Sequence, residues 1–162
     1  MTDTTIALVT GANKGIGHTV VRRLAERGWT VLLGSRDPAR GAAAAATLQG
    51  DVEALAIDVT SEESVAAAAK EVEERYGRLD VLVNNAGIVG NRVAALDTSA
   101  ADLLACYDTN VFGPVRVTRA FLPLLRRSAA PRIVMVSSGM GSITITGDPD
   151  RFESSLVSRS EE

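Results

Sequence analysis

The sequence predicts an α/β fold built on a doubly wound parallel sheet. Apolar runs rich in Val, Leu and Ile recur at 6–10, 30–34, 53–57, 81–84 and 132–137. The segments between them are long enough for helices, and such alternation is the signature of a parallel sheet covered on both faces. Directly after the first run comes Gly11-Ala12-Asn13-Lys14-Gly15-Ile16-Gly17, a glycine turn of the kind that ends a strand and opens a helix. At 162 residues with 46% hydrophobic content, the chain is long and apolar enough for one domain with a substantial core.

The helices follow from their start and stop signals. The first should open near Gly15 and stop by Gly28. The second has Asp37 as its cap and Pro38 in its first turn, then runs through 42–48. For the third, Thr60 with Glu63 reads as a capping box, and the helix continues to Tyr76 before Gly77. The alanine tracts at 42–46 and 66–69 are helix interiors. From 99 to 127, Leu103, Leu104, Tyr107, Val111, Val115, Thr118, Phe121, Leu122 and Leu125 fall near helical spacing, which predicts a core helix kinked at Gly113-Pro114. Residues 139–146 read as a loop or a short extended piece, and 147–162 as a polar, serine-rich, mobile tail. The expected division is therefore one α/β domain over 1–146 and a tail over 147–162.

Composition excludes several classes of function. A net charge of -3 with dispersed basic residues gives no footprint for a nucleic-acid backbone. No apolar run approaches the ~18 residues of a membrane span, so no membrane partner and a cytoplasmic location are expected. The lone cysteine, Cys106, reads as a packing residue, and no metal site is expected.

The candidate chemistry lies just past the strand ends, where open α/β sheets bind ligands. The backbone of Gly11, Asn13, Lys14, Gly15, Ile16 and Gly17 can bring N–H groups and the positive end of a helix to a pyrophosphate. Side chains at Gly15 or Gly17 would crowd that approach. Ile16 stands where a phosphate-binding loop of the ATPase type needs its second glycine, which disfavours ATP hydrolysis. After the second run, Ser35-Arg36 replaces the carboxylate that would bind both ribose hydroxyls of NAD. Arg36, helped by Lys14, can instead pair with a 2'-phosphate, so NADP(H) is expected over NAD(H). Asp58-Val59 suits an adenine amino group, with helix capping as the alternative role for Asp58. Asn84-Asn85-Ala86-Gly87 follows the fourth run.

Thr10-Gly-x-x-x-Gly-x-Gly17, Asp58-Val59, Asn84-Asn85-Ala86-Gly87, Asn110 and Ser137-Ser138 together resemble the short-chain dehydrogenase/reductase family over roughly 5–142. The segment from Ser138 to Ser142 and Asp148-Pro149 resemble its carbonyl-reductase-like members. The resemblance implies a Rossmann-type sheet of order 3-2-1-4-5, cofactor contacts from Asn85, Ala86 and Gly87, and hydride transfer to or from a carbonyl or alcohol carbon. It further implies that Ser138 hydrogen-bonds the substrate oxygen, and that Asn110 holds the water of a proton relay through a helix distortion.

One part of the family pattern is missing. The general acid of the family is the tyrosine of a Tyr-x-x-x-Lys pair, and this sequence has no such pair: Tyr76 and Tyr107 precede Asp80 and Val111 at that spacing. Tyr107 reads as core packing, Lys70 as a helix residue far from the crevice, and His18 as a solvated helix position. The last two strands of the family sheet are also unaccounted for. An incomplete sheet would leave the fifth strand with an open edge and the long helix with an uncovered face, so a sticky, self-associating molecule is expected. The sequence thus points to an impaired NADP-dependent oxidoreductase. A non-catalytic NADP-binding module or sensor, or a gene fragment without independent function, is the alternative.

Overall fold

Five strands form one parallel sheet in a computed structural model that describes residues 4–90, 95–139, 142, 144, 145, 148 and 150. They are β1 (Ile6–Val9), β2 (Thr30–Ser35), β3 (Val52–Ala56), β4 (Val81–Asn84) and β5 (Arg132–Met135), in the order β3-β2-β1-β4-β5. This is the expected doubly wound Rossmann-type order, with each strand within two residues of its expected start and end. The switch point lies between β1 and β4, where the strand order reverses. The carboxyl ends of the strands open onto the candidate site.

Period-two alternation divides the core in two. Leu8, Leu32, Leu55 and Leu82 face one side and pack with Val65, Val72, Val117 and Phe121. Ala7, Val9, Val31, Leu33 and Val83 face the other and pack with Val21 and Ala25. The second group sits under α1 (Gly15–Ala25) and α2 (Pro38–Ala45). The first lies under α3 (Glu62–Tyr76) and α5 (Gly113–Leu125). Burying both faces explains why β1, β2 and β4 are continuous apolar runs and not alternating ones.

Asp37 caps α2 as expected, accepting from the Arg40 N–H at 3.1 Å, with Pro38 in the first turn. The α3 cap differs. Ser61, not Thr60, accepts from the N–H of Ser64, because the Thr60 hydroxyl is bound to Asp58 Oδ1 at 2.7 Å. Gly77 ends α3 in the left-handed region at φ 71°.

The expected long helix is three pieces. Ser99 and Asp102 form a capping box for α4 (Ala100–Tyr107), a π-turn follows at Asp108–Phe112, and α5 then begins. The break thus lies before Gly113-Pro114, not at it. Pro114 cannot donate to the carbonyl four residues back, and the Gly113 N–H reaches the wider distance to Asp108 O.

Half of the expected core face is also corrected. Phe121 and Leu125 are buried, but Leu103, Leu104, Tyr107, Val111 and Val115 are between 45% and 64% exposed. Periodicity identified an apolar stripe without saying what covers it. Successive residues Ile133, Val134 and Met135 of β5 are likewise 42–53% exposed, and β5 pairs with β4 alone among the described residues. Cys106 is half-buried. Residues 147–162, expected to be a mobile tail, lie outside the described residues except Asp148 and Asp150. No helix of the described residues is long and apolar enough to cross a membrane.

At the opposite end of the sheet, Asp80 ties three segments together. Its carboxylate accepts from the Ile6 N–H at 2.8 Å, the Ser128 hydroxyl at 2.5 Å and Arg78 Nε at 3.2 Å. Burial pushes its pKa up, but the bonds from Ser128, Ile6 and Arg78 outweigh it, and the net shift is downward. A carboxyl with a depressed folded pKa stabilises the fold above its unfolded pKa, and that stability is lost as the pH falls through the folded value. Urea midpoints should therefore drop more steeply below the ordinary carboxylate pKa in the wild type than in Asp80→Asn. Parallel acid profiles for the two proteins would contradict this role.

Candidate functional site

The β1–α1 turn is built by positive-φ glycines and a deliberately unfilled helix end. Gly11 and Gly15 adopt φ of 63° and 61°. Lys14, the residue before α1, makes no side-chain capping bond, and no acidic residue occupies the first turn of the helix. The first N–H groups of α1 therefore keep their positive end open.

The glycines of the turn are required for different reasons. A Cβ on Gly11 would lie 2.7 Å from Ala86 Cα, so Gly11 lets the β4 loop approach the turn. A Cβ on Gly17 would meet Asn85 Nδ2 at 2.4 Å and Ala12 Cα at 2.9 Å. Gly17 is thus required by protein packing. A Cβ on Gly15 meets nothing within 4 Å, leaving its backbone conformation as the reason for glycine there.

Asn85 is the brace of this turn. Its Nδ2 donates to the carbonyls of Thr10 at 2.9 Å and Gly11 at 3.2 Å. The Thr10 hydroxyl in turn accepts from the N–H groups of Asn85 at 3.0 Å and Ala86 at 3.1 Å. Asn84 Nδ2 donates to the Thr118 hydroxyl and so ties the end of β4 to α5. Reciprocal bonds of this kind hold two irregular loops in one geometry.

These loops enclose a crevice of about 490 Å³ at the carboxyl end of the sheet. Gly11, Asn13, Lys14, Gly15, Ile16 and Gly17 line it from the turn, Ser35 and Arg36 from β2, Asp58 and Val59 from β3, and Asn85, Ala86 and Gly87 from β4. Every residue expected at a cofactor is therefore on one surface. Lys14 and Arg36 are exposed, and neither has an ion pair among the described residues. Asp58 accepts from the N–H and hydroxyl of Thr60 through Oδ1, so it caps the turn before α3 and not the helix itself.

Further residues join the lining that sequence reasoning missed, among them Asp37, Arg40, Ile88 and Thr109. Arg40 could have been found from the predicted Asp37 cap, which places it in the first turn of α2 directly after the end of β2. Its Nε lies 3.4 Å from Asp37 Oδ2, so the nearest carboxylate in the crevice is already shared between a helix cap and a cation.

The two expected catalytic residues do not line this cavity. Asn110, in the π-turn, is fastened to Ile88 by a reciprocal pair: Oδ1 accepts from the Ile88 N–H and Nδ2 donates to the Ile88 carbonyl, each at 2.8 Å. Its side chain therefore fixes the loop after β4. Ser138 lies exposed beyond the carboxyl end of β5. None of the other groups weighed as proton donors lines the crevice. Tyr76 donates to Glu53 Oε1 at 2.8 Å, and burial pushes its phenol pKa up. Tyr107, expected in the core, is 52% exposed against Phe112. His18 Nε2 is 3.3 Å from the Thr47 hydroxyl, and Lys70 pairs with Glu74.

A parallel sheet of order 3-2-1-4-5 with a glycine turn, a strand-end cation and a braced Asn-Asn-Ala-Gly loop at its carboxyl end has the architecture of the Rossmann-type class of protein. The family described as short chain dehydrogenase matches residues 5–149. The chain belongs to the short-chain dehydrogenase/reductase family. It is 41% identical over 157 residues to a short-chain dehydrogenase/reductase of Aspergillus fumigatus, covering 91% of this chain and 59% of that protein. To (-)-isopiperitenone reductase of Mentha piperita it is 36% identical, covering 93% of this chain and 65% of the relative. A metagenomic short-chain oxidoreductase solved in complex with NADP superposes with a TM-score of 0.78 at 32% identity, over 85% of this chain and 64% of that one. The chain thus spans 59–65% of the length of these two curated relatives.

Proposed function

We propose that this chain is an NADP(H)-binding oxidoreductase domain, carbonyl-reductase-like, that acts by hydride exchange with a small carbonyl or alcohol and is impaired in that reaction as a 162-residue polypeptide. The observation that carries the reading is the convergence of the glycine turn, Ser35-Arg36, Asp58-Val59 and Asn85-Ala86-Gly87 on one crevice. An open helix N-terminus beside two positive-φ glycines fits a pyrophosphate. Lys14, Arg36 and Arg40 on the same surface, with the Asp37 carboxylate engaged by Arg40, favour a 2'-phosphate over free ribose hydroxyls. The NADP complex of a relative supports the same choice.

A bound nicotinamide supplies or accepts the hydride. Transfer to a carbonyl carbon leaves charge on oxygen, and Ser138 is the hydroxyl we assign to hydrogen-bond that oxygen. Because the Asn110 side chain is occupied by Ile88, the relay water falls to the Asn110 main-chain carbonyl, to which Pro114 has no N–H to donate. The weak step is proton delivery. No Tyr-x-x-x-Lys pair occurs in the 162 residues, and general acid catalysis is worth about 10²–10⁴ in rate.

That absence also favours a second reading, a module that binds NADP(H) without turnover and serves as a sensor. Self-association through the bare face of α4 and α5, and a cytoplasmic setting, belong to both readings. Following NADPH absorbance with a panel of aldehydes and ketones tests the reaction. Binding with turnover at least about 100-fold below that of relatives carrying Tyr-x-x-x-Lys is expected. Turnover equal to theirs would refute the missing-acid account.

A further inference from the structure

Arg116 is a cation that neither the resemblance nor the sequence pattern singles out. Its side chain is only 14% exposed, although it projects from α5 between two loops. The guanidinium bonds in three directions. Nη1 donates to the Val59 carbonyl, Nη2 to Asp108 Oδ1 at 3.0 Å and Nε to Glu62 Oε1 at 3.1 Å. These acceptors belong to the wall after β3, the first residue of the π-turn and the first residue of α3. A planar fork with fixed donor directions can satisfy all three at once, and an ammonium cannot.

A second contact reinforces the same junction. Gly113 is buried, and a Cβ there would lie 3.0 Å from Val59 Cγ2 and 3.3 Å from Asp108 O. Val59 itself is 7% exposed and sits directly against the π-turn. The rest of the loop is held locally, with the Asp58 N–H on the Ser64 hydroxyl and the Thr60 N–H on Asp58 Oδ1. Arg116 is what connects that loop to the π-turn, and the same turn holds Ile88 through Asn110.

We infer that Arg116 is a positioning residue for the adenosine end of the crevice, joining the Asp58-Val59 wall and the π-turn into one rigid unit. The inference rests on the cofactor reading above, under which Asp58 and Val59 form the adenine end of the crevice. Loss of the fork would let the Val59 carbonyl turn toward water and misalign the wall, while leaving the glycine turn and Arg36 untouched.

The test is calorimetric titration of adenosine 2',5'-bisphosphate into wild type, Arg116→Met and Arg116→Lys, alongside urea unfolding of each. Both variants are expected to bind at least about tenfold more weakly, with stoichiometry unchanged for folded protein. An arginine that merely stabilises the fold would lower the urea midpoint and the binding stoichiometry but not the affinity, and that result overturns the inference. Should Arg116→Met not fold, Arg116→Lys, which keeps the charge and most of the stem, carries the same expectation. Wild type that binds beside a lysine variant of equal affinity sinks the positioning role alone. Folded wild type that fails to bind the bisphosphate sinks the cofactor reading and this inference together.

Discussion

Arg36→Asp is expected to weaken NADPH binding by about 100-fold and to leave NADH binding within a few-fold of wild type. A charge-assisted hydrogen bond to phosphate contributes about 1.5–3 kcal/mol, and replacing the donor by a carboxylate adds repulsion to the loss. That range converts to roughly 10- to 100-fold, with repulsion placing the result at the upper end. The selectivity matters more than the size. Arg36 enters the crevice from the end of β2, on the same surface as Lys14 and Arg40, while the pyrophosphate cradle belongs to the separate β1–α1 turn. Parallel titrations with NADPH and NADH check it. Equal loss of both cofactors would show that Arg36 supports the loop and does not read a 2'-phosphate.

Gly11→Ala is expected to lower the stability of the fold by about 2–5 kcal/mol and to abolish detectable cofactor binding. The left-handed backbone costs an alanine about 1–2 kcal/mol, and overpacking a fixed contact costs a further 1–3 kcal/mol or so. The contact here is with backbone: the added methyl would stand 2.7 Å from Ala86 Cα and 3.2 Å from Ala86 N. Relief requires the β4 loop to move, and that loop carries Asn85, which braces the turn, and Ile88, which Asn110 holds. Gly15→Ala supplies the comparison, because it shares the positive φ but meets nothing within 4 Å. It should cost only about 1–2 kcal/mol. Urea unfolding of the three proteins reads both effects, and equal destabilisation by the two alanines would remove the Ala86 contact as the cause.

The parts of this fold that were legible in the sequence are those encoded locally. Five apolar runs located the strands, Asp37-Pro38 marked the start of α2, and the family pattern implied the order β3-β2-β1-β4-β5. Local signals failed where two residues compete for one job. Thr60 and Ser61 both suit an N-cap, and only the bond from the Thr60 hydroxyl to Asp58 decides between them. The 99–127 pattern showed an apolar stripe, but the stripe could not disclose the π-turn or say that Tyr107 and Val115 stay exposed.

The candidate site follows the same division. Its glycine turn and strand-end residues were readable because each lies at a predictable point of a βα unit. Arg40 needed only the predicted Asp37 cap, which places it in the first turn of α2. Arg116 was out of reach, because it meets Val59 and Glu62 across separations of 57 and 54 residues. Asn110 stood out in the sequence only through the family pattern, and its side-chain grip on Ile88 emerges only from the fold.

Titration of the folded 162-residue protein with NADPH, by calorimetry and with NADH in parallel, bears most directly on the central claim. Saturable heat at one site per chain is predicted, with a dissociation constant on the order of micromolar and NADPH the tighter ligand. No heat from any pyridine nucleotide, in protein whose circular dichroism reports an intact α/β fold, would contradict the account.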